Sequence, residues 1–107
     1  MKICIVALCF IIGDYGTGII KALSKKNFTS SGMRLGLYHK IAEIILIVLA
    51  LGVDKAGTYI DLGLNKSICV GICGYIILME IASIIENIGI INPNLIPSKI
   101  REKFGKL

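Results

Sequence analysis

Tryptophan is absent from this chain of 107 residues, histidine occurs once, and proline occurs twice. Each scarcity excludes something. His39 is the lone imidazole, and no nucleophile–base constellation surrounds it in the sequence, so no enzyme class is supported. The glycines at 13, 16 and 18 do not follow a strand, and no Lys-Ser/Thr pair completes a phosphate-binding loop behind them. Acidic residues are fewer than basic ones, 7 against 12. They are missing altogether from the stretch that carries Lys21, Lys25, Lys26, Arg34 and Lys40. A cleavage signal is missing too. Lys2 followed by Ile3–Gly13 has the outline of a leader, but no A-x-A-like site follows, and Leu8 precedes Cys9 where a lipoprotein site wants a small residue. The first segment is therefore expected to be retained.

What the chain does have is apolar length. Hydrophobic residues make up 55% of it and the mean hydropathy is +0.82. A water-soluble domain this small cannot hide that much apolar surface. A helix facing lipid has no need to. Isoleucine is abundant, a composition that points to an AT-rich genome. Three apolar stretches stand out, roughly Ile3–Leu23, Ile41–Val53 and Ile68–Ile91. The expected fold is an all-α integral membrane protein in one domain, with spans at about 3–23, 37–55 and 67–91. A basic loop at 24–40 and a basic tail at 93–107 complete it. The first span reaches bilayer length only by drawing Asp14 to membrane depth. Gly13, Gly16 and Gly18 leave a smooth surface there for another helix, and they weaken the helix locally. In the loop, Met33 to Lys40 reads as a short amphipathic stretch at the interface. The second span gains length if it starts at Leu35, with Lys40 snorkelling to the headgroups. His39 and Glu43, four apart, read as a surface pair. The third span ends at Pro93 and Pro97.

Charge asymmetry sets the orientation. The first loop carries Lys21, Lys25, Lys26, Arg34 and Lys40, the second loop sums to zero, and the tail is basic through Lys99, Arg101, Lys103 and Lys106. The positive-inside rule then puts the N-terminus outside and the C-terminus in the cytoplasm. Membrane topology explains the net charge of +5 more economically than nucleic-acid binding does. Cys4, Cys9, Cys69 and Cys73 all lie in apolar runs and read as small buried side chains. Cys69 and Cys73 have metal-ligand spacing, but no His or second pair stands near them in the sequence, so no metal site is expected.

Acidic and amide groups within spans are costly and mark function or helix contacts. On a helix, Cys69, Cys73, Ile76, Glu80, Ser83 and Asn87 share one side. That stripe either faces other subunits or an aqueous opening, or forms a static seam that holds the bundle together. Asp14 has the same two readings; if buried it wants a basic partner, Lys21 or Lys40. Glu86 lies off the stripe and reads as interfacial.

These residues resemble a known family. Asp14-Tyr15-Gly16-Thr17-Gly18, followed by Lys21-Ala22, looks like the "D-x-x-T-G…K-A" opening of phage holins from low-GC Gram-positive hosts. The likeness continues through Ser30-Ser31-Gly32, Gly36 and Lys40, then Asp54, then Glu80, Ser83-Ile84 and Glu86-Asn87, to Gly89 and Pro93. Met79 departs from the small or polar residue usual before the third-segment glutamate. The resemblance implies a multi-pass protein of the bacterial cytoplasmic membrane that has no cofactor. Such a protein oligomerises in lipid to form lesions, releasing a cell-wall hydrolase or a large toxin that lacks an export signal. It also implies that Asp14, Thr17, Gly18, Glu80, Ser83, Glu86 and Asn87 act in assembly or line the lesion, satisfied by neighbouring subunits or water. Two alternatives stay open at this point. One is a small proton-coupled cation or drug exporter, though such exporters use four spans and aromatic cages. The other is an antiholin, which shares the pattern and blocks assembly.

Overall fold

The computed structural model of the protein describes residues 2–26, 29–63, 67–95 and 103. Three helices account for most of them: α1 (Lys2–Ser24), α2 (Ser30–Ala56) and α3 (Ile68–Ile91). At 1.5 Å per residue they measure about 34, 40 and 36 Å, each enough to cross a hydrocarbon core of about 30 Å with tilt. All three are apolar enough to do so.

Helix ends follow from local chemistry. Thr29 caps α2, its hydroxyl accepting from the Gly32 amide at 3.1 Å. Ser67 caps α3 in the same way through the Val70 amide at 3.2 Å. Asp54, at the far end of α2, adds a second cap to α3. Its carboxylate accepts from the Ile68 amide at 2.8 Å, the Cys69 amide at 3.0 Å and the Ser67 hydroxyl at 2.6 Å. Negative charge suits the amide-rich start of a helix, so this residue ties the end of one helix to the start of the next. At the other end of α3, Asn92 closes the helix through the Ile88 carbonyl at 2.8 Å, and Pro93 follows. After α1 the chain turns through Lys26 at φ 56°, the left-handed conformation that often terminates helices.

The boundary of α2 departs from expectation. The basic segment 24–40 was expected to be a loop, with Met33–Lys40 as a separate interfacial stretch. Instead α2 begins at Ser30 and runs unbroken through it. The hydroxyl cap at Thr29 starts the helix early, and nothing between Ser30 and Lys40 breaks it. Nor does α1 stop at its glycines. Packing against α3 offsets their low propensity: Gly13 abuts the Ile84 side chain and Gly18 abuts Asn87. The tail is outside the described residues except for Pro93–Leu95 and Lys103.

α1 and α3 form the tightest pair, α2 leans on α3, and α1 touches α2 least. The core is narrow and built of small residues. Cys4, Ala7 and Ile11 from α1 meet Ile47 and Ala50 from α2 and Cys69, Cys73 and Ile76 from α3. Small side chains let helix backbones approach closely, the packing that serves in lipid. Most large apolar residues point outward, among them Ile12 at 71% exposed and Val48 at 61%. An apolar exterior of this extent fits hydrocarbon as the solvent, not water.

Candidate functional site: a charged cluster at the centre of the bundle

The buried face of α3 is the stripe read from the sequence, with Cys69, Cys73, Ile76, Glu80 and Asn87 all buried. It turns toward α1 and α2 of the same chain. Glu80 is only 3% exposed, and its partner is Lys40 from α2. The Lys40 ammonium donates to both Glu80 oxygens at 2.9 Å. It also donates to Glu43 Oε1 at 3.3 Å and to Asp14 Oδ2. One ammonium thus joins a carboxyl group from each helix. Lys40 and Glu43 are three apart on α2, so the helix itself presents both to the centre.

A second layer lies next to it. Asn87 on α3 donates through Nδ2 to Asp14 Oδ1 and Thr17 Oγ1, each at 3.0 Å. Thr17 in turn donates to the Asp14 carbonyl at 3.1 Å. Tyr15 crosses to α2 and donates to the Met33 carbonyl at 3.1 Å, its ring lying against Gly36. Among the described residues, no buried side-chain polar atom lacks a hydrogen-bond partner. A polar network satisfied in this way fixes one arrangement of helices, because every alternative strands a charge in a medium of low dielectric.

A cavity of about 430 Å³ opens beside the cluster. Asp14 and Lys40 face it from one side, with Ser83, Glu86 and Asn87 from α3 and Lys21 from the end of α1. Its wall is mixed in charge and large enough for several waters. One cation against three carboxyl groups leaves the cluster rich in acid at the mouth of this space.

The match to protein families decides what kind of molecule carries this arrangement. Residues 1–107 match the bacteriophage holin family. The chain belongs to that family. No curated protein and no solved structure matches it. It is a multi-pass protein of the cytoplasmic membrane, all-helical, with three helices able to span, and its family is not one of enzymes.

The residues singled out in the holin sequence fall into three groups. Asp14, Thr17, Glu80 and Asn87 are bonded at the centre; Gly18 packs against Asn87 there, and Ser83 lines the adjoining cavity. Glu86 is exposed at the cavity rim. Lys25, Lys26 and Arg34 are exposed, and Lys21 is half-buried at the cavity. Two expectations need correction. Lys40 does not reach for headgroups; three carboxylates hold it inward, its side chain only 15% exposed. Glu43 turns to that same ammonium, while His39 is exposed. Of the two readings open for the α3 stripe and Asp14, the single chain holds the seam: Glu80 and Asp14 share Lys40, and Asn87 donates to Asp14. The role of Lys40 as the common partner was half-legible, since a buried Asp14 called for a lysine. Its link to Glu80 had no local signal, the two being 40 residues apart.

Proposed function

We propose that the chain is a holin that collects in the bacterial cytoplasmic membrane, oligomerises, and opens lesions that release a cell-wall hydrolase or a toxin lacking a signal peptide. The observation that carries this reading is family membership over residues 1–107. The polar bundle centre supports it. A three-helix bundle that only anchored itself in lipid would need no charged network at its middle, where each carboxylate costs roughly 3 kcal/mol to insert alone. A network closed within one chain can also reopen toward other copies. On this reading Asp14, Thr17, Gly18, Glu80, Ser83, Glu86 and Asn87 exchange partners within the chain for partners between chains or water at the lesion wall.

Orientation belongs to the same proposal. With Lys40 engaged inside, Lys21, Lys25, Lys26 and Arg34 remain to hold the α1–α2 connection in the cytoplasm. The N-terminus then lies outside, and the C-terminus lies inside.

The test is induction of the chain in bacteria beside a cytosolic endolysin. Abrupt arrest followed by lysis is expected, with crosslinked oligomers appearing at the moment of arrest. Slow toxicity without hydrolase release would overturn the reading, and loss of lysis on co-expression with a working holin would identify an antiholin.

A further inference from the structure

A second buried cluster lies apart from the charged network. Cys4 from α1 and Cys69 and Cys73 from α3 are buried together at the Lys2 end of the bundle. The Sγ atoms of Cys4 and Cys69 are 3.2 Å apart, those of Cys69 and Cys73 3.7 Å, and those of Cys4 and Cys73 3.7 Å. Among the described residues these three form a group whose ligand atoms all lie within 4.8 Å of one another. Two of them come from successive turns of one helix and the third comes from a helix 65 residues away in sequence. Sequence spacing could pair Cys69 with Cys73, but it could not supply Cys4.

The distances suit a single ion. With metal–sulfur bonds of about 2.3 Å, three thiolates around one centre stand about 3.8–4.0 Å apart. Two edges of the triangle are already at 3.7 Å. The third must open by about 0.7 Å to reach that range, which a small χ1 rotation of Cys4 supplies. Donor chemistry narrows the choice. Thiolates select soft cations. A closed zinc site takes four ligands, and this cluster presents three sulfurs in a core that is otherwise apolar, shared with Ala7 and Ile11 of α1, Ile47 and Ala50 of α2 and Ile76 of α3. A disulfide would use two of the three sulfurs and leave the position of the third unexplained.

We propose that Cys4, Cys69 and Cys73 form a three-sulfur site for a soft, low-coordinate metal ion, copper(I) being the cellular ion of that class. The ion replaces thiol protons, which pass to solvent, so uptake strengthens as pH rises. It bonds α1 to α3 at the end of the bundle opposite the cavity. The site is independent of lesion formation, and its test does not require lysis.

The experiment uses the full chain in detergent micelles, reduced and anaerobic, with copper(I) supplied from a coloured chelator. The expected result is one copper retained per chain, a thiolate-to-copper charge-transfer band, and X-ray absorption showing three sulfur neighbours. Cys9→Ser, which changes an exposed cysteine outside the cluster, should leave all three unchanged. Cys4→Ser should weaken retention at least about a hundredfold, since even the loss of outer-shell partners costs roughly 10–100-fold. Retention unchanged in Cys4→Ser, or a first shell without three sulfurs in the unmodified chain, would overturn the site. So would a Cys4–Cys69 disulfide forming in air in a chain that retains no copper when reduced. The X-ray measurement on the unmodified chain decides the matter even if the variants fold poorly.

Discussion

Replacing Lys40 with methionine removes the one cation that Asp14, Glu43 and Glu80 share while keeping the length and apolar stem of the side chain. The three arms are unequal, and the Asp14 carboxylate, 12% exposed, keeps a second partner, the Asn87 amide. The Glu43 arm is long at 3.3 Å, lies on the same helix and involves a carboxylate 26% exposed; pairs of this kind contribute about 0.3–0.5 kcal/mol. The Glu80 arm is short at 2.9 Å and its carboxylate is 4% exposed. Breaking a buried pair from one side costs about 3–5 kcal/mol, because the remaining charge is stranded. The neighbouring cavity admits water, which places Lys40→Met near the lower bound, at about 3 kcal/mol. At about 1.4 kcal/mol per decade, that is about a hundredfold in the ratio of opened to closed bundle. The assay is unfolding of the detergent-solubilised chain by titration with a denaturing detergent, followed by circular dichroism. The double variant Lys40→Met with Glu80→Met removes the most deeply buried carboxylate together with the cation and should recover part of that loss, the remainder being the Asp14 carboxylate, which keeps only Asn87 as a partner among the described residues. A Lys40→Met chain within about 0.5 kcal/mol of the unmodified chain, the range of an ordinary surface substitution, would mean that the shared ammonium does not hold the bundle closed.

Three further outcomes follow from the same geometry. Asn87→Leu keeps the volume but loses the amide bonds to Asp14 and Thr17, and should cost about 1 kcal/mol in the same titration, between the mean and the maximum for interhelical hydrogen bonds in membranes; no change would mean those bonds form equally well when the helices are apart. At Gly13 an added Cβ would stand 3.4 Å from Ile84 Cδ1, whereas at Gly16 nothing lies within 4 Å. Gly13→Leu should therefore lose about 1–3 kcal/mol by overpacking, and Gly16→Ala should be neutral or gain up to about 1 kcal/mol of helix propensity; equal losses at both would refute the packing of α1 on α3. For the orientation, Tyr59→Cys in a Cys9→Ser background should react with a membrane-impermeant maleimide on intact cells, and Lys25→Cys only after lysis; the reverse pattern would invert the proposed topology.

The sequence carried the number of helices and the buried face of α3 because both depend on short-range regularities. Apolar length marks a span, and steps of three and four mark a face. Thus Cys69, Cys73, Glu80 and Asn87 could be placed on one side before any partner was known. What it did not carry are the partners brought from elsewhere in the chain. Lys40 was one of two candidate partners for Asp14, with Lys21, and it lies in a stretch whose positive charge fits a loop as well as a helix, so its inward turn toward Glu80 was invisible. Cys4 was hidden for the same reason. The start of α2 was misjudged differently: Ser30, Ser31 and Gly32 are turn-prone residues, but they are equally at home in a first helical turn behind a threonine cap, and tertiary contact through Tyr15 and Met33 favours the helix.

A chain that satisfies its own carboxylates meets its neighbours in lipid with an apolar exterior, and apolar helix faces have no hydrophobic drive to associate in a medium as apolar as themselves. On the lesion-forming reading, copies would then stay dispersed while the Lys40 cluster is closed. Opening it strands buried charge, and new pairs between copies can offset that cost only when enough copies are close together. Assembly would be a threshold event set by the strength of one buried cluster. Lys40→Met should therefore bring lysis forward at equal expression, whereas Glu43→Gln, which removes the weakest arm, should shift it little. Earlier lysis from Glu43→Gln than from Lys40→Met would show that the partly exposed Glu43 arm, not the buried Lys40–Glu80 pair, controls the timing.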